Sequence, residues 1–194
     1  MARNIIDNVC VYGLDESVKA SKYPMSVDTE KCTDEITDRT MSLAGCDPGT
    51  GHDQFLTGIV VQFDLTLPIK VWVEAQRYHF LDFVSSQSTM HRIDKFDIKS
   101  QCNDNVSQVV IDEVERLKAV FKADKTEENY LRLLDNVPVG FLLTARMTTN
   151  YRQLKTIYRQ RKTHRRPEWR AICAWIETLP RAELITGGQH GQGN

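Results

Sequence analysis

Cysteine is scarce in this sequence and never closely paired. The five residues, Cys10, Cys32, Cys46, Cys102 and Cys173, are widely spaced, with no C-x-x-C among them. That argues against a disulfide framework or a zinc ribbon and leads us to expect a reduced, cytoplasmic chain. None of the histidines stands in an H-E-x-x-H or similar ligand pattern, so no metal site is expected. A Walker loop, a G-x-G-x-x-G turn and a G-x-S-x-G elbow are all absent. A nucleotide bound here must therefore be held by something other than a P-loop or a Rossmann turn. No opening segment has the apolar core of a signal peptide, no apolar run approaches membrane-spanning length, and no internal repeat is visible. An excess of one charge is lacking too. Lys and Arg number 25 against 26 Asp and Glu, a net charge of −1, which argues against a protein built wholly for nucleic acid.

What is present is ordinary globular composition, 41% apolar and 26% charged over 194 residues, enough for one domain with one sizeable core. We expect that domain over 1–186. Residues 187–194 are Gly- and Gln-rich, have nothing to pack, and are expected to be a disordered tail.

The chain opens with a strand around Val9–Gly13. A short helix is expected over Asp15–Tyr23 and a longer one over Asp28–Leu43, followed by a turn-rich loop from Cys46 to Gly51. Ile59, Val61, Phe63, Leu65 and Leu67 alternate with Val60, Gln62, Asp64 and Thr66, the clearest strand in the chain. Pro68 suits the first turn of a helix over Ile69–Arg77, with Ile69, Trp72 and Val73 inward. The polar, Ser-rich stretch Arg77–Arg92 reads as a loop. Val106–Lys122 is an amphipathic helix whose apolar stripe includes Val106, Val109/Val110, Val114, Leu117 and Val120/Phe121. Asp124 to Glu127 resembles a capping box for a helix through Leu134. A strand over Phe141–Thr148 and a last helix over Pro167–Leu179, packed through Trp169, Ile172, Cys173 and Ile176, complete the pattern.

Charge concentrates in one place. Between Arg152 and Arg170 stand eight Lys/Arg and one acid, Glu168. Taken alone, such a run reads as a solvated face or a general polyanion patch, and Tyr151, Tyr158 and Trp169 could stack bases. The run begins as a helix that Thr149 or Asn150 can cap, with Asn150, Leu154, Ile157 and Arg161 on one face. At about 100° and 1.5 Å per residue, Arg152 and Arg161 point to opposite sides, roughly 13–14 Å apart along the axis. One small ligand on one chain cannot easily be gripped by both.

Asn150-x-Arg152, eight residues, then Arg161, His164 and Glu168-Trp169 resembles the C-terminal signature of the flavin-dependent thymidylate synthases (ThyX). Val137-Pro138 and Leu143-Thr144 resemble that family's Leu-Pro and Tyr-Thr, and Gly51-His52 its Gly-His before the first long core strand. Counting from Pro68 sets Arg77-Tyr78-His79 on the family's Arg-His-Arg. Ser88 falls on its Ser and Arg92 near its Arg-Tyr when one residue is inserted. His79 thus stands where the family has its second Arg, Ser85 and Ser86 face its Asn-Glu pair, and Leu134 takes the place of an Arg before Leu-Pro.

The resemblance covers about residues 50–180. It implies a mixed α/β (α+β) fold, a mixed sheet flanked by helices with no Rossmann turn. It also implies a homotetramer with FAD bound across subunits, and transfer of a one-carbon unit from methylenetetrahydrofolate to dUMP, with NADPH reducing the flavin. His52, Arg77, His79, Asn150 and Arg152 would hold FAD. Gln87, Ser88, Arg92 and Arg161 would bind the nucleotide, Arg161 also serving catalysis by facing the pyrimidine. Hydroxymethylation of a pyrimidine deoxynucleotide, or a non-catalytic protein binding nucleotide or nucleic acid through the basic helix, are the alternatives.

Overall fold

The computed structural model describes residues 4–47 and 49–187. The expected tail, 187–194, lies outside them apart from Gly187. In chain order the elements are β1 (Ile6–Tyr12), α1 (Leu14–Ala20), α2 (Asp38–Gly45), β2 (Val60–Pro68), α3 (Ile69–Ala75), β3 (Asp82–Ser86), α4 (Thr89–Arg92), α5 (Ile98–Gln101), α6 (Gln108–Ala123), α7 (Glu127–Asp135), β4 (Leu142–Asn150), α8 (Tyr151–Arg161), α9 (Pro167–Ile176) and α10 (Glu183–Thr186). The strands form one antiparallel sheet in the order β1-β2-β4-β3, and the fold is the mixed α/β class expected. Along β2 and β4 the pairing runs through Ile59 with Tyr151 (3.0 Å), the hydroxyls of Thr66 and Thr144 (2.8 Å), and Ile69 with Phe141 (3.0 Å). Each step forward on one strand is a step back on the other, as an antiparallel ladder requires.

The chain forms two compact units. Among the described residues, one holds those up to Asp64, Tyr78–Asp82, and those from Met147 on. The other holds Leu65–Arg77 and Phe83–Arg146. The division falls inside β2 and inside β4.

In the first unit, Ile59, Val61 and Phe63 are buried, as their alternation predicts, and Phe63 packs on Trp175 with ring centroids 4.7 Å apart. Gly13, just before α1, has φ +71°, and a Cβ there would meet the Gly58 carbonyl oxygen at 2.6 Å, so both conformation and space demand glycine. The helix expected over Asp28–Leu43 is shorter. Residues 29–31 make a single 3₁₀ turn and α2 starts only at Asp38. Local side-chain bonds explain this. Asp28 accepts from the Glu30 N–H and closes the turn, while Thr37 and Thr40 form a reciprocal capping box that starts the helix later. Leu154 and Ile157 of α8 and Trp169, Ile172, Cys173 and Ile176 of α9 are buried as expected. Helix α9 ends at Ile176 rather than Leu179. Helix α10, which no periodicity announced, buries Leu184 and Ile185.

In the second unit Pro68 ends β2 and caps α3 instead of entering its first turn. The open N–H groups of Ile69 and Lys70 donate to the carbonyls of Phe141 and Val139. Helix α3 buries Val71, Trp72 and Ala75, whereas Val73, expected inward, is exposed. The segment read as a loop contains β3 and α4. All five β3 residues are exposed, so no alternation betrays the strand. Helix α6 turns Ile111, Val114 and Leu117 inward, around a core shared with Ile93, Ile98, Leu133 and Phe141. Val109, Val110 and Val120, expected on the stripe, are exposed, Val109 to 77%. Lys118 takes a buried place, its ammonium donating to the Phe96 carbonyl at 2.7 Å. Thr126 caps α7 by accepting from the Asn129 N–H, while Asp124, the residue expected to open a capping box, closes α6.

The corrected phase of α6 predicts opposite outcomes for two neighbouring truncations. Leu117→Ala should cost about 2–5 kcal/mol by opening a cavity, and Val109→Ala less than about 0.5 kcal/mol. Urea unfolding of the two variants measures both. Equal losses would restore the stripe drawn from the sequence.

Candidate functional site

Asn150 leaves β4 in an extended conformation, and its Oδ1 accepts from the Gln153 N–H at 2.9 Å, which starts α8. Helical spacing then sets Arg152 and Lys155 on neighbouring turns of one face. Both reach the same carboxylate. Asp53 Oδ1 accepts from Arg152 Nε at 2.9 Å, and Oδ2 from Lys155 Nζ at 2.7 Å. The side chains of Asp53 and Lys155 are each only 4% exposed, that of Arg152 33%. Lys155 also donates to the Cys46 carbonyl (2.9 Å), and Arg152 through one terminal nitrogen to Gln54 Oε1 (2.9 Å). An acid so far from water is tolerated because both its oxygens meet charged donors. Two cations on one anion leave one net positive charge. Arg152 has five N–H donors, and three lie outside these two bonds.

Beside this cluster lies a cavity of about 640 Å³. Asp53, Gln54, Asn150, Arg152, Lys155 and Arg159 line it together with Thr57, Phe80, Gln153, Thr156 and Gln160. The volume falls within the roughly 300–1,000 Å³ of ligand pockets.

Arg161 has different surroundings. Its Nε donates to the Tyr78 hydroxyl at 2.6 Å, and its guanidinium carbon lies 4.6 Å from the Trp169 ring centroid and 5.5 Å from that of Tyr78. Tyr78 in turn donates to Gln160 Oε1 at 2.9 Å. Arg152 thus ends in an ionic cluster and Arg161 in an aromatic one, as opposite helix faces predict. His164 is half-buried, edge-on to Trp169, and its Nδ1 accepts from the Arg166 N–H. Glu168 binds Arg166 through both oxygens, and Arg170 donates to the carbonyls of His164 and Arg165. The basic run is therefore largely engaged with the protein and is not a plain solvated face.

The other expected site residues are not part of the lining of this cavity. His52 is exposed immediately before Asp53, and His79 is exposed in the turn after Tyr78. Arg77, Gln87, Ser88 and Arg92 belong to the second unit. Arg77 is exposed beyond the end of α3, Arg92 is the exposed last residue of α4, and half-buried Ser88 stands at the N-cap of α4 without a side-chain cap bond. Gln87 is tied to β4: its N–H donates to the Thr144 carbonyl and its Oε1 accepts from the Thr144 N–H, both at 2.9 Å. It also lines a smaller cavity of about 300 Å³ with Trp72 and Phe83. Asn150 and Arg152 thus share the larger cavity, whose lining does not include His52, His79 or Arg161.

Asp53, Lys155, Phe80 and Gln160 carry this geometry without having been singled out by spacing, and Tyr78, set on the family's His by counting, was given no role. Asp53 had a weak signal, its place next to Gly51-His52; Lys155 merged into a basic run. Cys173 is chemically quiet: burial, ahead of the nearby Glu177, pushes its thiol up to about 11.

No protein-family model and no curated protein sequence matches this chain. Solved structures do. The flavin-dependent thymidylate synthase ThyX of Helicobacter pylori, complexed with FAD and dUMP, aligns with a TM-score of 0.73 over 94% of this chain and 98% of that one, at 12% identity. A second structure of Helicobacter pylori ThyX with FAD and dUMP gives 0.72 over 92% and 97%, at 14% identity. The likeness establishes the ThyX fold for this chain.

Asp53→Ala should cost about 3–5 kcal/mol, because it leaves buried Lys155 without a counter-charge. Asp53→Ala combined with Lys155→Met should recover much of that loss. Thermal melts of the two proteins test the pair, and an unchanged single variant would refute it. Alkylation by iodoacetamide at pH 8 should spare Cys173 in the native protein and reach it only after denaturation, as peptide mapping would report.

Proposed function

We propose that this chain is a divergent flavin-dependent thymidylate synthase, binding FAD and a pyrimidine deoxynucleotide and moving a one-carbon unit from methylenetetrahydrofolate onto dUMP. The observation that carries this reading is the coincidence of two independent lines. Asn150 and Arg152, which the signature resemblance assigns to the flavin, line the 640 Å³ cavity of a chain that shares the ThyX fold over 94% of its length.

The residues fit such a cofactor. The Asp53, Arg152 and Lys155 cluster carries one net positive charge, Arg159 adds another, and Phe80 offers apolar surface on the same cavity. Arg152 binds the pyrophosphate through the guanidinium edge turned away from Asp53, where planar donors match phosphate oxygens. Asn150 keeps the start of α8 in place for that contact. Reduced FAD would supply the hydride in this chemistry, and NADPH its electrons. Arg161 faces the pyrimidine and stabilises negative charge developing on the ring; its stacking on Trp169 and Tyr78 fixes the cation in position. His52, Arg77 and His79 complete the flavin contacts, and Gln87, Ser88 and Arg92 those of the nucleotide, in a homotetramer whose sites combine residues of different subunits.

Leu134, Ser85 and Ser86 replace polar residues of the family pattern, so the nucleotide half has fewer charged contacts than the flavin half. Hydroxymethylation of a related nucleotide is the alternative outcome for the same cofactor and fold.

Purified protein should carry FAD or take it up, be tetrameric by light scattering, and convert dUMP to dTMP with methylenetetrahydrofolate and NADPH. Arg152→Ala should bind FAD about 10- to 100-fold more weakly, the effect of losing a charge-assisted contact. Arg161→Ala should keep its flavin and lose dUMP binding and turnover. A colourless protein that cannot be reconstituted, yet binds RNA with steep salt dependence, would overturn the enzyme reading in favour of a nucleic-acid-binding one.

A further inference from the structure

Phe80 has so far counted only as apolar surface on the cavity, yet two of its properties work against folding. The residue is 65% exposed, which leaves a large apolar side chain largely in water. Its backbone has φ +60°, the left-handed region where the Cβ of a bulky residue is strained. Conformations of this kind persist where the surroundings over-determine them. Here the turn is pinned on both sides. Two residues earlier, the Tyr78 hydroxyl accepts from Arg161 Nε (2.6 Å) and donates to Gln160 Oε1 (2.9 Å), and its ring meets Trp169 edge-on at 5.6 Å. One residue later, Leu81 is buried. Phe80, between them, lines the cavity.

We propose that Phe80 is the stacking face of this cavity, receiving the planar heterocycle of a ligand whose phosphate is held by Arg152. The proposal rests on the flavin and nucleotide reading and deepens it by naming the residue that recognises the ring. An inorganic anion would need the Arg152 and Arg159 charges but no exposed aromatic. A ligand that joins a phosphate to a flat ring uses both. The Tyr78 anchor matters because a ring already held in place loses little conformational freedom when a ligand stacks on it. FAD and dUMP share this chemistry, and the experiment separates them.

Apo protein is titrated separately with FAD and with dUMP, as wild type, Phe80→Ala and Phe80→Tyr. Phe80→Ala should weaken the stacked ligand about 5- to 150-fold, the range of losing one base–aromatic stack, and Phe80→Tyr should bind close to wild type. Loss confined to FAD assigns the ring to the flavin; loss confined to dUMP assigns it to the pyrimidine; loss of both marks a ring site that either can use. Unchanged affinity for both ligands in Phe80→Ala overturns the proposal while leaving the flavin function standing. A wild-type protein that binds neither removes both. A readout without ligand checks the strain. Phe80→Gly lacks the ring, as Phe80→Ala does, but relieves φ, and should melt about 2–4 °C above it. Equal melting would remove the strain on which the argument is built.

Discussion

A single carboxylate, that of Asp53, organises the candidate site. It is almost out of water, and each of its oxygens is met by a cation from α8. A buried acid with one partner would be near neutrality as a pair, and costly to desolvate. With two partners the cluster keeps one positive charge, and Arg152, the more exposed cation, carries it toward the cavity. The same bonds tie the turn around residues 53–54 to the first two turns of α8, so the electrostatics of the site and its local architecture have one origin. Asp53 and Gln54 already set the orientation of that guanidinium, so it has little side-chain freedom left to lose.

How much of this was legible in the sequence depended on whether the signal was local. β2 was plain because Ile59, Val61, Phe63, Leu65 and Leu67 all face one way and are all buried. Helix α8 was plain because a capping Asn150 preceded apolar residues at helical spacing. Strand β3 was not, because both its faces are exposed and it lacks alternation. The Val109-Val110-Ile111 run misled because three adjacent β-branched residues fit more than one helical phase. Only packing selects Ile111. Helix α2 came out short because Thr37 and Thr40 bond each other's backbone, a local competition that a hydrophobic pattern does not register.

The site was less legible than the fold, for a related reason. Asn150, Arg152 and Arg161 could be named because they lie within twelve residues on one helix and its cap. Asp53 is about a hundred residues from its partners, and nothing in the spacing of an isolated Asp marks it as buried. Tyr78 met Arg161 across a similar gap. Pairings of this range are fixed by the tertiary fold, so a one-dimensional reading sees both ends without seeing that they belong together. The basic run illustrates the cost. Its charges suggested solvent or polyanion, yet Lys155 is buried against Asp53 and Arg166 is committed to Glu168.

Arg152 and Arg161 show how one helix can offer the same functional group in two different settings. Arg152 shares a buried anion with Lys155, so its charge is partly compensated and directed outward. Arg161 meets two ring faces and a phenol oxygen, which orient the guanidinium. Aromatic quadrupoles attract a cation by about 0.5–2 kcal/mol, so the two rings help hold the guanidinium in place. The nine-residue separation, which turns the two side chains to opposite helix faces, keeps these settings from interfering with each other.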